Sequence, residues 1–122
     1  MASICACCLA NWCHGVKIIN NLVAGLENAG VDSAAFAVPA HECGDYLNVV
    51  FKNNTAHSVD GYGAIIFRNA SSPYSDNCME ASYFTAYKCN QGGIVSYDKT
   101  LKIIFSNMIL IDNYYGANLM IG

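Results

Sequence analysis

Charge is what this sequence has least of. Charged side chains make up 12% of its 122 residues, about half the share of an ordinary globular protein. The net charge of −3 leaves no basic face, which excludes nucleic acid as a partner. Although 54% of the residues are hydrophobic, no apolar run approaches the roughly 18–20 residues of a membrane-spanning helix. Proline occurs only at Pro39 and Pro73. Helix is disfavoured throughout by β-branched residues, Asn-Asn pairs and frequent glycine. What remains is one domain's worth of weakly charged, strand-forming sequence. Its apolar surface needs cover from polar side chains, glycans or neighbouring protein.

Cysteine, by contrast, is abundant: seven residues, an odd number. Cys5, Cys7, Cys8 and Cys13 crowd a Cys-rich start over residues 1–15. Their spacing is not a standard zinc pattern, so disulfides or buried thiols are expected there, and no metal or other cofactor. Two glycosylation sequons, at Asn53 and Asn69, join the cysteines and the low charge in favouring an extracellular setting. Residues 1–9 lack the basic start and clean apolar core of a signal peptide. The segment therefore reads as internal to a longer protein, or as incompletely defined at its start.

The stretch from Leu47 to Phe67 carries the internal grammar. It reads as a strand, an Asn-containing corner, a small-residue step, a Gly-containing turn and a second strand. The same pattern recurs from Ile19, Phe84 and Phe105, giving steps of 32, 33 and 21 residues between anchors. The longer steps are read as carrying insertions at about 33–46 and 68–79. Short strands at this period predict an all-β fold, a right-handed parallel β-helix (a solenoid) of about four to five coils. Apolar anchors and the residues five places on (Ala24, Ala56, Cys89 and Leu110) are expected to point inward. Asn suits the corners. Gly30, Gly63, Gly93 and Gly116 are expected at positive φ before the next strand. The ends read as uncapped, and open strand edges are templates for further pairing. Other protein segments, or copies of the chain, are thus the expected partners.

Two runs carry a family resemblance. One is Asn20-Asn21-Leu22-Val23-Ala24-Gly25-Leu26-Glu27, followed by Phe36-Ala37-Val38-Pro39-Ala40-His41-Glu42-Cys43. The other is Phe51-Lys52-Asn53-Asn54-Thr55-Ala56-His57-Ser58, with Gly61-Tyr62-Gly63 after it. Together they resemble the parallel β-helix region of the fibrocystin-like surface proteins, a group related to fibrocystin-L and the transmembrane hyaluronidase. The match covers about residues 16–67; beyond that only the generic repeat is shared. It implies one stretch of a large extracellular or ciliary surface glycoprotein. One branch of that family serves as receptor or coat; the other binds or cleaves a polysaccharide.

Chemistry is thin. His57, three residues before Asp60, could work as an acid–base pair on a polysaccharide. The alternative is a corner histidine bonded to a carbonyl of the adjacent coil. Asp45, Asp60, Asp76 and Asp98 fall at different phases of the repeat, and no catalytic residue is assigned. The cluster His41-Glu42-Cys43-Gly44-Asp45 offers metal-ligand types. Its alternative is a loop disulfide, with Cys43 and Cys78 late in consecutive insertions. Were the chain an enzyme, His57, Asp60, His41 and Asp45 would be its polar site. Cys89 is expected as a buried free thiol. Asn69 is the better glycosylation candidate, while Asn53 could instead join an Asn stack. The function expected is a non-enzymatic structural or adhesive stretch of a coat or filament. A carbohydrate-binding ectodomain is the first alternative, and a hyaluronidase-like enzyme the second.

Overall fold

A computed structural model describes residues 4–5, 16–27, 30, 33–40, 49–68, 79–96 and 103–119. Every regular element among them is a strand: β1 (Ile4–Cys5), β2 (Lys17–Ile19), β3 (Leu22–Leu26), β4 (Ala34–Ala40), β5 (Val50–Val59), β6 (Tyr62–Arg68), β7 (Met79–Cys89), β8 (Gly92–Ser96), β9 (Ile103–Ser106), β10 (Ile109–Ile111) and β11 (Ala117–Leu119). The strands form two sheets. One runs β1-β4-β6-β8-β11. The other runs β10-β7-β5-β2, with β3 also on β5 and β9 also on β7. All recorded pairings are parallel. The chain visits the second sheet, then the first, and repeats, so each passage lies beside the one before it.

Register differs from the sequence expectation. Ile18 pairs with Phe51, Phe51 with Ala81 and Ala81 with Phe105, giving steps of 33, 30 and 24 residues. Phe84 lies opposite Asn54, not Phe51. The reason is the spacing of inward residues. In β5 these are Phe51, Asn54, Ala56 and Val59, all buried. A step of five therefore occurs twice within one strand, and either instance fits the anchor rule. Ala24, expected inward, is exposed, and Val23 occupies that column. The stretch read as the first insertion contains β4, which pairs with β6.

Two columns of left-handed residues bend each passage. The first is Asn20, Asn53, Tyr83 and Asn107; the second is Gly25, Ser58, Lys88 and Asp112. Such residues interrupt the ladder, and at two corners an Asn of the next passage repairs the break. The Asn54 side chain accepts from the Asn21 backbone N–H (3.0 Å) and donates to the Ile18 carbonyl (2.8 Å). Asn113 repeats this at the second corner. It accepts from the Cys89 N–H (3.0 Å) and donates to the Ala86 carbonyl (2.9 Å). Outside, the Asn53 amide donates to Asn20 Oδ1 at 2.7 Å.

The core lies between the sheets. Phe36 packs edge-on against Phe51 and Phe84, with centroids 5.6 and 6.1 Å away, and Phe51 lies 5.2 Å from Phe84. Edge-on aromatic pairs add about 0.5–1.5 kcal/mol each beyond their area burial. Volume is conserved across neighbouring passages: Phe51 faces Ala81, and Asn54 faces Phe84. The described glycines do not follow the positive-φ expectation, since only Gly25 is left-handed. Gly63 and Gly93 are needed for close approach instead. A Cβ on Gly63 would lie 2.4 Å from the Gly93 carbonyl oxygen and 2.9 Å from the Ala86 Cβ.

Three substitutions test this packing by urea unfolding. Asn54→Ala should cost about 1–3 kcal/mol, because it strands the Asn21 N–H and the Ile18 carbonyl. Gly63→Ala should cost about 1–3 kcal/mol by overpacking. Gly116→Ala should stay within about 0.5 kcal/mol of the parent, since its nearest neighbour would be 3.9 Å from the new Cβ.

Candidate functional site

Among the described residues, a recess lined by aromatic and amide groups lies on the outer face of the second sheet, along the first left-handed column. Residues there project outward because the left-handed turn places Lys52 and Asn53 both on the surface, between buried Phe51 and Asn54. Two adjoining hollows result. One, of about 500 Å³, is lined by Ile19, Asn20, Lys52, Asn53 and Tyr83. The other, of about 520 Å³, is lined by Asn53, Tyr83, Thr85, Asn107, Met108 and Ile109. Tyr83 stands between them, 54% exposed. The Lys52 ammonium lies 5.7 Å from its ring centroid. The lining thus offers a flat aromatic face, three amides, a hydroxyl and one cation. It holds no carboxylate or imidazole.

The residues singled out from sequence lie elsewhere. His57 is half-buried on β5, where its ring stacks on Tyr87 at 4.7 Å and 10°. Its Nδ1 lies 3.3 Å from the Ser58 hydroxyl. The contact recorded for the ring is therefore an aromatic neighbour and a hydroxyl, not a carbonyl of the adjacent passage. Asp60 sits at the following turn, where its Oδ1 accepts from the Asn90 amide at 2.7 Å. Its backbone N–H donates to the Leu26 carbonyl at 2.8 Å. Asn53 is exposed, and the amide nitrogen to which a glycan would attach is the one donating to Asn20. His41, Cys43, Asp45, Asn69, Cys78, Cys7, Cys8 and Cys13 lie outside the described residues; Cys5 is described only as backbone of β1. Among the described residues, no group of three His, Cys, Asp or Glu side chains could hold a metal ion. No described helix is long and apolar enough to cross a membrane.

Tyr83 was not separable from the other tyrosines by composition. The available signal was Asn at the matching positions of three passages (20, 53 and 107), which marks a column whose fourth member is Tyr83. Reading it required the register of 33, 30 and 24 residues.

Cys89 shares an inward column with Leu26, Val59 and Asn113. It is buried, and its thiol is free. Burial pushes the thiol pKa up to about 11, although a backbone hydrogen bond with Val59 opposes the shift. The folded chain therefore keeps its proton to about pH 11, whereas an ordinary thiol releases it near 9.0. Stability should fall as pH rises through that window, by roughly 2–3 kcal/mol in total. Comparing urea midpoints at successive pH values for the parent and Cys89→Ala isolates this contribution, which the variant should lack. In the native state the thiol should resist alkylation by iodoacetamide.

Compared with known proteins, the chain matches no family model, no curated protein and no solved structure.

Proposed function

We propose that the chain is a stretch of right-handed parallel β-helix from a large extracellular or ciliary surface glycoprotein of the fibrocystin-like type. Its work is structural or adhesive: its coils stack on further protein to build a coat or filament. The observation that carries this reading is the state of the last passage. The inward columns that are buried at Phe51, Ala56, Phe84 and Ala86 continue to Phe105, Met108 and Leu110, which are only half-buried. Beside them Ile104, Ile109 and Ile111 are 54%, 51% and 59% exposed. Among the described residues, no strand pairs with the outer edge of β9 or β10. Stacked-repeat proteins close such an edge with a polar cap or with more protein, and an apolar edge left open invites strand pairing. The sparse charge supports the same reading, since little holds copies apart.

Sedimentation of the purified chain should show association that grows with concentration. Ile109→Lys together with Ile111→Lys should abolish it with little change in urea midpoint, since both side chains are exposed and edge lysines oppose pairing. A parent chain that stays monomeric over the whole concentration range would sink the stacking proposal. The extracellular part of the proposal has its own check. Expressed through a secretory pathway, the chain should lose mass on treatment with a peptide N-glycosidase, and Asn69→Gln should remove most of that loss. Secreted protein with no such loss would count against the glycoprotein assignment.

A further inference from the structure

We propose that the paired hollows around Tyr83 form a subsite for a neutral oligosaccharide, with one sugar ring stacked on Tyr83 and its hydroxyls held by Asn53, Asn107 and Lys52. The first ground is conformational. Tyr83 has φ of 51°, in a column where the other passages use Asn20, Asn53 and Asn107. Asn tolerates the left-handed region; a bulky aromatic there is an outlier. Nothing in the core compensates, because the side chain is 54% exposed. An exposed cation over an aromatic ring, as with Lys52 at 5.7 Å, is a weak contact. A residue that is costly to the fold and does not pack in the core is a candidate for a binding role.

Geometry and chemistry then narrow the ligand. Tyr83 and Asn53 are shared by both hollows, so an elongated ligand can lie across the ring and occupy both. Asn53 and Asn107 flank Tyr83 on the passages to either side, each about one strand separation, roughly 4.8 Å, from its passage. Each amide both donates and accepts, which suits sugar hydroxyls on either side of a stacked ring. An extended peptide could not be captured here as an added strand. β5 is already paired with β2 and β3 on one side and with β7 on the other, and β7 with β9 and β10. Recognition must therefore run through side chains. Lys52 is the single cation of the lining, too little for a polyanion, which needs a basic cluster. A neutral sugar, with an apolar ring face and hydroxyl edges, is the class that fits.

Because Asn107, Met108 and Ile109 of the last passage line the second hollow, the binding test is run at concentrations where sedimentation shows the chain monomeric, so that a failure to bind is distinct from a failure to stack. Titration of the chain with cellohexaose and with chitohexaose, followed by side-chain and backbone NMR shifts, tests it directly. At least one probe should perturb Tyr83, Asn53 and Asn107 with a Kd of about 1 mM or tighter. Tyr83→Phe should keep that affinity within a few-fold. Tyr83→Asn installs the residue used by the other three passages, so it should raise the melting temperature and weaken binding by more than about tenfold. Three results would overturn the proposal: no perturbation by either probe, unchanged affinity in Tyr83→Asn, or a lowered melting temperature in that variant. The last would show that Tyr83 is retained for packing.

Discussion

Everything in this fold depends on how the backbone survives its corners. Each passage across the second sheet bends at two left-handed residues, and each bend breaks the run of strand hydrogen bonds. A buried N–H or carbonyl left without a partner costs about 1–3 kcal/mol, and repeated corners would multiply the penalty. At two of these corners the chain answers with an Asn from the next passage. Asn54 closes the break between Ile18 and Asn21, and Asn113 closes the one between Ala86 and Cys89. The two Asn side chains play the same role at opposite corners, one passage supporting the other. A corner is thus a property of two neighbouring passages, not of one segment.

Packing is shared between passages in the same way. Phe51 needs Ala81 beside it, and Phe84 needs the smaller Asn54. Gly63 and Gly93 let neighbouring passages of the first sheet, and the side chains facing them, approach to distances that a Cβ would forbid. Volume is balanced over pairs of passages, so the interior stays filled although no column repeats a single residue type. The last described passage has a neighbour on one side only, and there Phe105, Met108 and Leu110 are left half-covered. The stacking proposed for this chain extends the same dependence by one more step.

Function is confined to what the scaffold leaves over. Strands β5 and β7, each paired on both sides, offer a ligand only side chains, and the outward ones form columns one strand apart. Tyr83 stands out in its column for conformational reasons, because it occupies a left-handed position that three asparagines fill elsewhere. His57 and Tyr87 form another outward pair, stacked flat on each other. The recognition surface and the structural surface share the same β5 and β7 strands, divided by which way each residue points.

Legible in the sequence were the all-β class, the repeated segments and the corner asparagines, because they follow from local preferences: β-branched residues for strands, Asn for left-handed turns, few residues suited to helix. Cys89 is placed inward by its step of five from Phe84, in line with Ala24 and Ala56; it is inward, but its neighbour is Val59, because the same step occurs twice in β5 and in β7. Register was not legible. Inward positions spaced three, two and three residues apart satisfy the same pattern at two alignments, and only pairing across passages chooses between them. That choice places Phe84 over Asn54, gives the glycines a role in close approach rather than in turning, and sets Tyr83 in the asparagine column. Local sequence dictates what each segment prefers, but which side chains meet is set by contacts 24 to 33 residues apart. The recess around Tyr83 exists only once those contacts are made.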